Sequence, residues 1–238
     1  MKPRVTKKKR GKKFLKWLLL YIPLWFVGLT VSWVVLLRYV PVYVTPLMAV
    51  RTYENWSDNT FKTYKTWKPL ENISPNLAMA VMASEDTRFL THNGFDWVEI
   101  GNAVEAHKNG KKLRGASTIS QQTAKNVFLF PGRSWVRKGF EVYFTFLIEH
   151  IWGKKRIMEV YLNVAEMGRG IYGAEAAAER LFNTRAAKLT PRQSALIAST
   201  LPNPIKRKAN QPTAYMQKRT GDIQHMMKLI PRPEWLDK

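Results

Sequence analysis

Glu85-Asp86-Thr87-Arg88-Phe89-Leu90-Thr91-His92-Asn93-Gly94-Phe95-Asp96 is the stretch whose reading decides the fold. The apolar run from Leu77 to Ala83 before it predicts a helix that ends in two adjacent carboxylates. A polar loop follows, with His92 and the turn pair Asn93-Gly94. Asp96, with Glu99 three residues on, predicts the capped start of the next helix. An acid at the mouth of a helix-loop-helix is where a general acid or base would sit. It is equally where solvated helix-end charges sit.

Working outward, Gly115-Ala116-Ser117-Thr118-Ile119-Ser120-Gln121-Gln122-Thr123-Ala124-Lys125-Asn126 comes next. Arg137-Lys138-Gly139-Phe140-Glu141, Lys154 to Asn163, and Arg169-Gly170-Ile171-Tyr172-Gly173 with Ala176-Ala177-Ala178 follow in order. Together with the first stretch, these segments resemble the ordered signature motifs of the peptidoglycan glycosyltransferases, the family shared with class A penicillin-binding proteins. The resemblance spans Glu85 to about Phe182, with weaker similarity to Pro204. It implies a lysozyme-like α domain, and helical patterns dominate the chain from Ser74 onward. Ser74-Pro75, Ser134 and Thr190-Pro191-Arg192-Gln193 read as helix starts. A last helix from about Thr213 to Leu229 is expected to be interrupted at Gly221. The fold class expected is mainly α, with one transmembrane helix ahead of the domain.

Composition agrees with that division. The 238 residues carry a net charge of +22, which calls for an anionic partner: nucleic acid, an anionic membrane surface or a phosphate-bearing substrate. Cysteine is absent, so disulfides, thiol catalysis and thiolate metal sites are excluded. The four histidines show no metal-ligand spacing, and no metal ligands are assigned. Residues 1–13 hold Lys2, Arg4, Lys7, Lys8, Lys9, Arg10, Lys12 and Lys13 and no acid, a basic cytoplasmic tail. No charge occurs from Trp17 to Leu37, long enough to cross a bilayer as a helix of roughly 20 residues. The anchor is placed at 14–40, a membrane-proximal connecting region at 41–73 and the glycosyltransferase domain at 74–238. The basic flank puts the N-terminus in the cytoplasm and the domain on the outer, periplasmic face of the inner membrane. The apolar region is too long for a cleaved signal peptide.

The substrate implied by the resemblance is lipid II, a disaccharide-pentapeptide on a polyprenyl diphosphate, added to a growing glycan chain. Such chemistry needs a base for the attacking hydroxyl, cations for the departing diphosphate and proximity to the bilayer. Glu85 is assigned as base, with Asp86 in a supporting role on the substrate side. From Lys108 to Arg156 the chain carries Lys108, Lys111, Lys112, Arg114, Lys125, Arg133, Arg137, Lys138, Lys154, Lys155 and Arg156 against only Glu141 and Glu149. Ser117, Gln121 and Lys125 are four apart, as are Arg133, Arg137 and Glu141, so each trio would share a helix face. The resemblance assigns substrate contacts to Thr118, Gln122 and Asn126 as well. It places Lys125, Arg133, Arg137 and Lys138 on the diphosphate and Glu141 as the second important carboxylate. Glu141 would orient those cations, hold a divalent metal or meet the donor sugar. No cofactor is required otherwise; a divalent cation (Mg2+ or Mn2+) has a place at the diphosphate. Arg169 and Tyr172 are put on the acceptor side, whereas Lys154, Glu159 and Asn163 read as bracing.

The expected activity is therefore polymerisation of lipid II into β-1,4-linked glycan with inversion and release of polyprenyl diphosphate. No S-x-x-K nucleophile motif occurs, so the chain resembles the monofunctional members, without a transpeptidase domain. The partners expected are lipid II, the growing glycan, the lipid bilayer and the cell-wall synthesis machinery, with no nucleic acid. Two other readings stay open: a lysozyme-like lytic enzyme that cleaves glycan, and a membrane-tethered binder of anionic ligands. The first leaves the cations without a purpose. The second does not need the glutamines and glutamates interleaved with them.

Overall fold

The computed structural model describes residues 6–110 and 117–237, with side chains for residue 17 and from residue 19 onward. Lys2, Arg4, Lys111, Lys112, Arg114, Gly115 and Ala116, all named above, lie outside the described residues. The chain divides into two compact units, Met1–Val40 and Pro41–Lys238.

The described residues of the first unit form one helix, α1 (Thr6–Tyr39), which continues through Pro23. Leu19–Tyr39 within it has a mean hydropathy of 2.0, so it is long and apolar enough to cross a membrane. In such a helix a polar side chain must find its partner locally. Thr30 does so by donating to the Phe26 and Val27 carbonyls.

The second unit is mainly helical: α2 (Pro46–Glu54), α3 (Pro75–Glu85), α4 (Trp97–Lys108), α5 (Ile119–Phe128), α6 (Trp135–Ile151), α7 (Gly153–Val164), α8 (Ala174–Phe182), α9 (Pro191–Thr200) and α10 (Ala214–Leu229). Residues 41–73, expected as a connecting region, contribute α2 and the short strand β1 (Tyr64–Lys65) to this unit. β1 pairs in parallel with β3 (Ile171–Tyr172), which pairs antiparallel with β2 (Glu166–Gly168), giving the order β1-β3-β2.

α3 is the central helix. Leu77 to Ala83 are all buried, so it is apolar around its whole circumference, as a helix enclosed by others must be. Ala80 and Ala83 meet Ala195 and Ala198 of α9 and Ile223 of α10. Small residues at these contacts bring the helix axes close. α10 runs unbroken through Gly221, contrary to the expected interruption, because a helical glycine only lowers local stability. Ser74 precedes α3 as expected but does not cap it: its hydroxyl donates to the Leu189 carbonyl 2.8 Å away. Ser134, Thr190 and Asp96 do cap their helices.

Two braces hold the segment after β1 to α7. Asn163 exchanges hydrogen bonds with both backbone groups of Lys68, each at 2.8 Å. Glu159 accepts from the Leu70 amide. This is the bracing read from the fourth motif. Gly173, which opens α8, has φ +80, and a Cβ there would stand 2.6 Å from the Asn163 carbonyl oxygen. Gly173→Ala is expected to cost about 3 kcal/mol, combining left-handed strain with a clash against backbone. Chemical denaturation measures it; an unchanged midpoint would show that the turn relaxes freely.

Candidate active site

The first two motifs interlock around Asp86. α3 ends at Glu85, and Asp86 leaves the helix in an extended conformation with φ −162. Its buried carboxylate lies 3.0 Å from His92 Nε2 and accepts the Ile119 amide, also at 3.0 Å, at the start of α5. His92 Nδ1 accepts the Gly94 amide at 3.1 Å, so the imidazole proton is assigned to Nε2. Thr118 then donates to the Gly94 carbonyl at 2.7 Å. Asp86 is thus a structural hub holding loop and helix together, not a substrate-facing group. His92 holds the loop and has no free nitrogen for proton transfer.

Asp96 completes this region. It accepts the Val98 and Glu99 amides at the start of α4 and pairs with Arg88 at 3.1 Å. Asp86, His92 and Asp96 bring one potential ligand atom each within 4.8 Å of one another. Protein donors already occupy those atoms, so the cluster reads as a fold lock.

Where α5 begins changes the reading of the second motif. Thr118 is its N-cap, and Gln121 folds back to close a capping box with the Thr118 backbone. Ser117 precedes the helix and is exposed. The expected row of Ser117, Gln121 and Lys125 therefore does not form: Thr118 and Gln121 are consumed by the cap, and Gln122, Lys125 and Asn126 face the cavity instead.

That cavity measures about 400 Å³. α5 contributes Gln122, Lys125 and Asn126, the turn into α6 contributes Arg133, and the first turn of α6 contributes Arg137. Tyr161, Glu166, Leu47, Arg51, Leu201 and Pro204 complete much of the remaining wall. Glu85 joins it through Gln122, whose amide Nε2 donates to Glu85 Oε2 at 3.0 Å. The same amide's oxygen accepts from the buried Tyr161 hydroxyl at 3.1 Å. Ser84 donates to the other Glu85 oxygen at 3.1 Å. Tyr161 therefore fixes which way Gln122 points, and Gln122 fixes Glu85. Burial first, then the nearby charges of Glu85 and Asp86, push the Tyr161 phenol well above its usual range, so it stays a donor.

The cations are held by one buried carboxylate. Glu141 of α6 pairs with Arg137 at 2.9 Å through one oxygen and with Lys138 through the other. Both oxygens are engaged by these cations, so the geometry fits the orienting role read for Glu141. The Lys125 ammonium forms no hydrogen bond or ion pair among the described residues. Burial lowers its pKa below the usual lysine value of 10.5; Glu141 opposes this, Arg137 and Lys138 reinforce it, and Glu85 opposes it. A half-desolvated ammonium of this kind binds an anion strongly, because binding replaces hydration already lost.

The fifth motif lies elsewhere. Arg169 is exposed and donates to Asn55 at 3.1 Å and to Asp58, tying β2 to the loop after α2. Tyr172 is fully buried on β3. Neither lines the cavity. Lys154 pairs with the buried Glu149 at 2.7 Å and lies over the Phe89 ring, a structural use. Arg51, Tyr161 and Glu166 are the polar cavity residues that sequence reasoning missed. Only Tyr161, inside the fourth motif, carried any signal.

Tyr161→Phe tests the orienting chain. Without the hydroxyl the Gln122 amide can turn and present its oxygen to Glu85. The variant is expected to lose about tenfold in turnover, in proportion to one lost hydrogen bond, with little change in melting temperature. Equal turnover would remove Tyr161 from the site's machinery.

Comparison with known proteins agrees with this geometry. A family model described as Transglycosylase matches residues 53–228, which contain every cavity residue except Leu47 and Arg51. A Bacteroides thetaiotaomicron protein named biosynthetic peptidoglycan transglycosylase is 57% identical over 88% of this chain and 85% of its own length. Proteins of the same name from Caulobacter vibrioides and Chromohalobacter salexigens are 51% and 45% identical, covering 89% and 97% of this chain and 90% and 97% of theirs. A chain that matches the family model over most of its length, and such relatives nearly end to end, belongs to the transglycosylase family.

Proposed function

We propose that this chain, a peptidoglycan glycosyltransferase, polymerises lipid II by direct displacement in the cavity beside Glu85. The 4-hydroxyl of an incoming lipid II attacks the anomeric carbon of the growing chain. The bond from that carbon to the diphosphate oxygen breaks, and the diphosphate leaves with the electron pair. Glu85 takes the hydroxyl proton. Attack from the face opposite the leaving group inverts the anomeric carbon and gives a β-1,4 link.

Lys125, Arg133 and Arg137 stabilise the charge that builds on the diphosphate, with Glu141 holding Arg137 and Lys138 in register. A glycosidase needs a second carboxylate to protonate a poor leaving group; a diphosphate needs charge stabilisation instead. The observation that carries the reading is this cavity, which sets Lys125, Arg133 and Arg137 beside a carboxylate oriented through Gln122. It also argues against a lytic role, since glycan has no diphosphate for the cations to meet.

The apolar helix Leu19–Tyr39 anchors the enzyme to the membrane that holds its lipid-linked substrate. The basic residues ahead of it keep the N-terminus in the cytoplasm and the domain on the outer face. The test is a gel of products from labelled lipid II and the detergent-solubilised full chain. A ladder that a muramidase digests supports the reading. Consumption of preformed glycan without a ladder would overturn it in favour of the lytic enzyme.

A further inference from the structure

One carboxylate on the cavity wall has no part in the chemistry above. Glu166, at the start of β2, lines the cavity while its side chain is only 6% exposed. A buried carboxylate usually collects short hydrogen bonds, and this one has none. The Gly170 amide approaches it at 3.5 Å and Arg51 Nε at 3.6 Å. Arg51 Nη1 is already given to Glu54 at 3.0 Å. The Arg51 Nε and the Tyr172 hydroxyl, both buried, make no hydrogen bond of normal length among the described residues; both are directed at Glu166 from farther off. Burial raises the Glu166 pKa, with Arg51 opposing.

An anionic, under-bonded carboxylate in a cavity otherwise rich in cations is informative. It repels a diphosphate, whose oxygens only accept hydrogen bonds and carry negative charge. It attracts sugar hydroxyl and acetamido N–H groups, which donate. We infer that Glu166, with Arg51 beside it, is a sugar-binding and orienting subsite that admits the uncharged saccharide end of the substrate and excludes the diphosphate. The substrate then enters the cavity in one polarity, diphosphate toward Lys125 and sugar toward β2. The inference rests on the lipid II reading above and adds the residues that set direction.

The test uses the full chain in detergent and two probes, inorganic pyrophosphate and the uncharged disaccharide diacetylchitobiose, titrated by calorimetry or NMR. In Glu166→Gln the shape is kept and the charge removed. Pyrophosphate is expected to bind about threefold or more tighter and the disaccharide about tenfold weaker, the second change matching the loss of a charge-assisted hydrogen bond. A purely structural Glu166 would move both affinities in the same direction or neither, and either result overturns the inference. If the Gln variant does not fold, Glu166→Asp carries the test. It keeps the charge but shortens the reach, so disaccharide binding should fall while pyrophosphate binding holds; unchanged disaccharide binding overturns the inference. Lipid II polymerisation is scored separately on the wild type. Probe affinities that fail to move in an enzyme that polymerises sink the subsite alone. A wild type that binds both probes but makes no polymer sinks the glycosyltransfer reading alone.

Discussion

Glu85→Gln is expected to lower the initial rate of polymer formation by about 10²–10⁴-fold, the usual contribution of a general base, while the protein stays folded. The amide keeps the shape of the carboxylate. Its oxygen can still accept from Gln122 Nε2, so the orienting chain from Tyr161 survives. What it lacks is a lone pair basic enough to take the hydroxyl proton. The melting temperature should therefore hold, since the side chain is only partly buried and keeps its principal donor. Near-normal turnover in this variant would move the base elsewhere. Glu166 would then be the next carboxylate to test, because it lines the cavity and, unlike Glu85, has no short hydrogen bond. Glu85→Asp separates the two functions: it retains a base but retracts it from Gln122, so partial activity is the expected result.

What could be read from the sequence was what is local. The apolar run Leu77–Ala83 predicted the central helix because every residue in it is buried, whichever way it faces. Asp96, Ser134 and Thr190 predicted helix starts because a cap is decided within about four residues. Arg137 and Glu141 were correctly read as one face because α6 is regular between them. The same spacing argument failed at Ser117, Gln121 and Lys125. There the helix starts one residue after Thr118, so Gln121 turns back to the cap and Gln122 takes the cavity position. A one-residue error in a helix boundary rotates the face by about 100°, enough to exchange the two glutamines. The sheet was not legible at all. Its strands are two or three residues long, and Tyr64 pairs with Ile171 across a separation that no local pattern records. Arg51 and Glu166 were missed for the same reason: one lies ahead of the motifs and the other just after one, and only the fold brings them together.

Lys125 should set the alkaline limit of the reaction. Its ammonium is partly desolvated, and burial lowers its pKa from 10.5, more than Glu141 and Glu85 restore. The sign follows from the direction of that shift. The charged form binds the diphosphate and is fully present at low pH. It is lost as pH rises through the lowered pKa, earlier than for a lysine in water. Activity is therefore expected to fall on the alkaline side before free lysines titrate, while Tyr161, raised well above its usual range, remains protonated. Lys125→Arg should push that limb to higher pH, because a guanidinium does not deprotonate in the accessible range, at some cost in rate from its different shape. Lys125→Ala should lower kcat/KM by about 10²–10³-fold at neutral pH, the scale for removing one donor from a developing anion. It should also erase the alkaline limb that Lys125 caused. Lys138 is the control: it is more exposed and already paired with Glu141, so Lys138→Ala should leave the position of the limb unchanged. A limb that stays in place in Lys125→Arg would assign it to another group and leave Lys125 as one cation among several around the leaving diphosphate.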